Sequence, residues 1–226
     1  MMIFLRRHTH AHTQKGFTIV ELMIATLVFS TVLTLITVGV LYFTNMYYKG
    51  ANLTNAQRTV RLITDDISQA IQFSNSGVFW GHTADAQPIS VLCIGSRRYS
   101  YMPGRIVTSD GNPYVSGDTA GYHGLVADTV SAGCASADTA VSGFESKALS
   151  GSQPLELLGN RFRLTDLEVN PKSNHTYEIK VSVAYGDKDL LKNGATTGYD
   201  VQCESTTGSQ YCATAKLTTI VQKRLQ

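Results

Sequence analysis

Three hydrophobic patterns follow one another along the 226 residues. The first is an apolar run at 17–43, FTIVELMIATLVFSTVLTLITVGVLYF, broken by a single charge at Glu21. A helix rises about 1.5 Å per residue, so a run of this length can cross a hydrocarbon layer of roughly 30 Å. The second pattern starts at Asn52. There Leu53, Ala56, Val60, Ile63, Ile67 and Ala70 recur at spacings of three and four, with Ile71 beside the last. Arg58, Arg61, Asp65, Asp66 and Gln69 fall on other faces, so the period predicts an amphipathic helix with one stripe to bury. No proline interrupts residues 17 to about 74, which predicts one long helix with Gly39 as its weakest point.

After Asn75-Ser-Gly77 the period shifts towards two. Residues 89–94 and 98–102 read as strands, followed by a turn at Pro103-Gly104. In 176–185, Tyr177, Ile179, Val181, Val183 and Tyr185 alternate with mostly polar neighbours, which predicts a strand with one buried face. Phe162 and Leu164, then Leu167 and Val169, predict a preceding strand that changes face or bulges near Thr165-Asp166. A last strand is expected at 213–221. The fold class expected is α+β, with the long helix packed on an antiparallel sheet. Between 109 and 153 Gly, Ser, Ala, Thr and Asp dominate, which predicts a long exposed loop.

Charge adds orientation. Charged residues are only 16%, below the roughly 25% of an ordinary soluble domain. Nineteen basic and seventeen acidic residues leave a net charge of +2, too weak a field to argue for nucleic acid. Arg6, Arg7 and Lys15 precede the apolar run and favour the cytoplasmic side, which puts everything after residue 43 outside. All four cysteines lie in that outer part and form no C-x-x-C pair, a pattern that suits disulfides in an oxidising compartment better than zinc. Four cysteines allow three pairings. The turn-like stretch 204–211 favours Cys203 with Cys212, leaving Cys93 with Cys134.

Glu21 discriminates among explanations of the apolar run. A secretory signal peptide has a shorter core and a small-residue cleavage site after it, and 42–48 offers none. A plain signal anchor explains the length and leaves the acid unexplained, although a charge at a helix centre costs about 2.5–3.5 kcal/mol on insertion scales. The stretch KGFTIVELMIA at 15–25 resembles the processing motif of type IV prepilins and pseudopilins. That resemblance implies cleavage between Gly16 and Phe17 by a prepilin peptidase, N-methylation of Phe17, and a role for Glu21 in filament assembly. It also implies the partners: the peptidase, other pilin subunits and the membrane assembly platform. The location that follows is the cytoplasmic (inner) membrane, crossed once with the head outside, and then a cell-surface filament.

The implied plan is a leader at 1–16, a spanning and assembly helix at 17–43, an amphipathic extension at 44–75 and a β-rich head at 76–226. RLITDDISQA at 61–70 is similar to the same region of J-type minor pseudopilins and W-type minor pilins. With a head of about 150 residues, large for a repeating subunit, this favours a minor pilin. The alternatives are a minor pseudopilin of type II secretion, or a tip subunit that uses the 109–153 loop for adhesion or DNA capture.

No enzyme motif of the G-x-S-x-G, H-E-x-x-H, G-x-x-x-x-G-K-[ST] or G-x-G-x-x-G type occurs, so no catalysis, cofactor or metal is expected. His8, His10 and His12 fall in the leader, and His82, His123 and His175 are scattered. Asp110-Gly-Asn112 with Asp118 does not match the spacing of an EF-hand. Arg97 and Arg98 beside Tyr99 and Tyr101 could touch a nucleic-acid backbone and stack its bases, but strand alternation splits them between two faces.

Overall fold

The computed structural model describes residues 16–82, 90–101, 103–104, 124–129, 152–158, 161–173, 175–205 and 207–224. The chain divides into two units, Met1–Thr44 and Asn45–Gln226. One helix, α1, runs from Ile19 to Phe73 without interruption at Gly39. In the first unit none of the described side chains is buried. Its hydroxyl residues solve their own hydrogen bonding. Thr26, Ser30, Thr31, Thr34, Thr37 and Thr44 each donate to a carbonyl three or four residues back, at 2.6–3.0 Å. Such bonds let Ser and Thr sit on a helix with no water to satisfy them.

In the second unit α1 buries Ala56, Val60, Ile63, Thr64, Ile67 and Ile71. Thr64 enters this stripe without an orphaned hydroxyl because it donates to the Val60 carbonyl at 2.8 Å. Leu53 was expected in the stripe and is 41% exposed, since the packed surface begins one turn later at Ala56.

Among the described residues eight strands form two antiparallel sheets, where a single sheet was expected. The first takes β1 (Val78–His82), β2 (Ser90–Ile94), β3 (Arg97–Tyr101), β4 (Leu125–Thr129) and β5 (Ser152–Glu156) in chain order. The second takes β6 (Phe162–Pro171), β7 (Thr176–Tyr185) and β8 (Ala213–Gln222). The register of β6 on β7 shifts between Leu164 and Asp166, which moves the apolar set across the bulge and keeps Leu164, Leu167 and Val169 on the core side. β4 lies inside the 109–153 stretch expected as one loop. Its apolar content, Leu125-Val-Ala, is too short to show a period, and it is a strand because it pairs with β3. Much of the remainder of that stretch lies outside the described residues. Among the described residues β5 is an edge strand, a position where a proline such as Pro154 is tolerated. The turn after β3 uses Gly104 at φ +74°, where a Cβ would meet the Thr196 carbonyl at 2.7 Å.

One core joins these parts. Ile63, Ile67 and Ile71 of α1 pack with Leu92 and Tyr99 of the first sheet and Leu164, Ile179, Val181 and Val183 of the second. Each such aliphatic side chain contributes about 1.5–3 kcal/mol of transfer free energy. The other face of the first sheet is also buried. There Cys93, Arg98 and Asp128 sit opposite one another across β2, β3 and β4. Arg98 donates to Asp128 through Nε at 2.8 Å and through Nη2, and both side chains are almost fully buried. The outer face of the second sheet carries the segment from Gly186 to Cys212. Leu191, Val201 and Cys212 pack there with Ala184, and the Cys203–Cys212 disulfide closes the segment's end.

Candidate functional site

The N-terminal residues singled out by sequence lie where the helix begins. Gly16 and Phe17 precede α1 and are exposed, and a Cβ built on Gly16 would meet nothing within 4 Å. The Gly16–Phe17 peptide bond therefore lies outside helical hydrogen bonding. Thr18 starts the helix: its Oγ1 accepts the Glu21 N–H at 3.2 Å and its carbonyl accepts the Leu22 N–H at 3.2 Å. The spacing Thr-x-x-Glu is that of a capping box, in which a hydroxyl satisfies one of the free N–H groups of the first turn. Glu21 thus occupies the third helical position, where the helix dipole favours a carboxylate by typically 0.3–1 kcal/mol. Its side chain is exposed, one turn from Phe17. Sequence reasoning picked out Glu21 and missed Thr18, although the four-residue signature was legible.

The remaining residues of interest are occupied by structural work. Arg97 donates to Asp66 on α1 at 3.2 Å, and the Tyr99 hydroxyl donates to the same carboxylate at 2.7 Å. Burial first, then the Asp66 charge, hold the Tyr99 hydroxyl protonated far above its ordinary range. Arg98 points to the opposite face and Asp128, so the two arginines are divided as strand alternation requires. Tyr101 is also buried, with its hydroxyl raised mainly by burial. These four residues do not form a surface for nucleic acid.

His175 is exposed in a left-handed turn at φ +60°, and His82 lies at the end of β1. His8, His10, His12, His123, Asp110, Asn112 and Asp118 lie outside the described residues. Among the described residues no cluster of three His, Cys, Asp or Glu side chains could hold a metal. Arg163 is buried and donates to the Gly186 carbonyl at 2.6 Å. Burial lowers its pKa, and the nearby charges of Asp187 and Asp189 oppose that shift.

Cys203 and Cys212 are joined. Cys93 is also disulfide-bonded, whereas Cys134, expected as its partner, lies outside the described residues.

The start of the second unit brings a second group together. Tyr48 on α1 stacks at 5.9 Å, tilted, against Tyr211 of the disulfide-closed segment, and Asn52 donates to the Gln210 carbonyl at 3.0 Å. Beside this contact lies a cavity of about 350 Å³ lined by Lys49, Leu53, Glu204, Ser209 and Thr214 among others.

Residues 11–37 match the profile of the prokaryotic N-terminal methylation motif. The match spans Gly16, Phe17, Glu21 and much of the apolar run. No curated protein and no solved structure shows significant similarity to the chain.

Proposed function

We propose that this chain, whose N-terminal methylation motif supports a place among the type IV pilins and pseudopilins, is a minor, tip-proximal subunit of a type IV pilus-like filament. The carrying observation is the motif's setting: an exposed Gly16–Phe17 bond, a capped first turn holding Glu21, and an apolar first half of α1, up to Thr44, with no buried side chain. A prepilin peptidase cuts after Gly16, and the new N-terminus at Phe17 is methylated. The helix then holds the subunit in the cytoplasmic membrane, with the disulfide-bonded head outside. On transfer to the filament, the Glu21 carboxylate pairs with the ammonium of a neighbouring subunit's first residue. Burial of those two charges favours the stagger in which they meet.

A minor role is supported by the size of the head and by the likeness of 61–70 to minor subunits. The same likeness supports the second reading, a minor pseudopilin of a type II secretion fibre. Deleting the gene separates them: loss of surface pili favours the first, and loss of protein secretion with pili intact favours the second.

The primary test is the mass of the N-terminal peptide of the mature protein from membranes. It is expected to begin at N-methylated Phe17, and an intact Met1 overturns the proposal. Glu21→Val is expected to be cleaved and inserted normally and to be depleted from sheared filaments by tenfold or more. Wild-type incorporation of that variant removes Glu21 from the mechanism.

A further inference from the structure

The outer strands of the two sheets are not alike. Among the described residues β1 and β5 border the first sheet; each has five residues, and β5 holds Pro154. Short edge strands and prolines discourage pairing with another chain. In the second sheet the free side of β6 is occupied. The Leu164 and Thr165 carbonyls accept the Gly104 and Gly198 N–H groups at 2.8 and 2.9 Å, and Pro171 has no N–H to offer. β8 has none of these devices: it runs ten residues without proline, and its register on β7 is unbroken.

One hydrogen bond tells which way the backbone groups of β8 face. The Lys223 N–H donates to the His175 carbonyl at 2.9 Å, in line with the β7–β8 register. Bonded and non-bonded pairs alternate in an antiparallel ladder, so the odd-numbered residues of β8 bond to β7. The N–H and C=O groups of Thr214, Lys216, Thr218, Ile220 and Gln222 therefore face the other side. None of these backbone groups has a partner among the described residues. The side chains of Lys216, Thr218, Ile220 and Gln222 are exposed, Ile220 by 66%. Ala215 and Leu217 pack against the core and stay half-buried, since β8 is the last strand on that side.

An unpaired ladder is completed by an extended polypeptide. A second copy of this chain does not suit it. Two β8 edges pair antiparallel about a twofold axis perpendicular to the sheet. The second half of α1 lies on that sheet, so the axis turns one helix end for end against the other. Subunits of one filament point the same way, so on the proposed reading the occupant is a different polypeptide. Beside Leu217 it presents apolar residues, and beside Thr218 and Ile220 hydroxyl or β-branched ones. Arg224, just past the strand, is exposed and makes no ion pair among the described residues. An acid at the start of an antiparallel partner meets it there. We infer that the free edge of β8 docks an extended strand of another protein, apolar at every second residue and acidic at its N-terminal end, which adds antiparallel to β8.

The test uses the full-length protein in mild detergent and a synthetic peptide of two glutamates followed by four Val-Thr repeats. Amide hydrogen exchange is followed residue by residue by NMR. Without peptide, the five outward amides are expected to exchange about a hundredfold faster than those of Ala215, Leu217, Thr219 and Val221. Excess peptide is expected to slow the outward amides about tenfold. Thr218→Pro removes an outward N–H and no bond to β7, so it is expected to fold and to abolish the slowing. Thr218→Ala controls for the Thr218–Tyr199 hydroxyl contact and is expected to keep it. Arg224→Glu is expected to weaken binding about fivefold and to regain it with a peptide that begins with two lysines. Melting temperature and the Cys203–Cys212 disulfide check the fold of each variant. Outward amides that the peptide leaves unchanged overturn the inference, as does equal slowing in folded Thr218→Pro. Outward amides already slow without peptide, in a chain that sediments as a dimer, overturn both this occupant and the one-directional filament. An intact Met1 in the mature chain removes the filament argument alone, and exchange with peptide still decides the edge.

Discussion

The two halves of α1 share one backbone and meet different surroundings. From Ile19 to Thr44 no side chain is buried, and apolar residues occupy the whole circumference. From Asn45 to Phe73 a stripe at spacings of three and four is buried, and Arg58, Arg61 and Asp65 stay exposed. A helix apolar on all sides suits a solvent of lipid or of other apolar helices, whereas a helix with one apolar stripe suits a protein core bordered by water. Among the described residues, the buried positions of the helix all lie in its second half.

This contrast can be broken by experiment in the full-length protein held in mild detergent, with urea unfolding of the head followed by the fluorescence of Trp80, the single tryptophan. The largest effect is expected from Asp128→Ala, which removes the buried carboxylate that Arg98 binds through two nitrogens and costs about 3–5 kcal/mol. Ile67→Ala is expected to cost about 2–5 kcal/mol, while Leu33→Ala in the unburied half changes head stability by less than about 0.5 kcal/mol. Equal losses at Ile67 and Leu33 would end the distinction between the halves. Replacing Cys203 and Cys212 together by serine is expected to cost roughly 3 kcal/mol, on the chain-entropy account of a short disulfide loop.

The smallest effect concerns pH. The half-buried Asp166 has its carboxyl raised above the ordinary 3.8 by burial, then by the neighbouring Glu168 charge. The unfolded chain ionises first, so the head loses stability from this group as pH rises from about 3.8 through the folded value. Asp166→Asn is expected to match the wild type in acid and to exceed it slightly at neutral pH, read as melting temperature. A variant less stable than the wild type at pH 7 would show that the charged carboxylate is favourable in the fold.

Sequence revealed most where a period repeated often enough to be counted. β7 alternates over ten residues and the buried stripe of α1 recurs over about four turns, and both were readable. The bulge near Thr165 was readable for the same reason, because the alternation on either side is out of phase. β1, β4 and β5 are five residues each and owe their existence to partners elsewhere in the chain, so no local signal announces them. The Arg98–Asp128 pair joins residues 30 positions apart and is invisible until β3 and β4 are aligned. At the N-terminus the methylation motif was legible, and the capping role of Thr18 was overlooked beside the more conspicuous acid at Glu21. The cavity at Lys49 could not be read, because Glu204 and Ser209 reach it only through the return of the chain after β7.

The self-bonded hydroxyls of the first half have a mechanical meaning. Between Glu21 and Lys49 the sequence has no charged side chain, and the six hydroxyls with recorded bonds are engaged within their own helix. A rod of this kind can be drawn lengthwise past lipid or past similar rods with little friction, since no hydrogen bond must break as it slides. Resistance is concentrated at its two charged ends. Under the proposed reading, Glu21 and Lys49 are the charges that mark the two ends of such a rod.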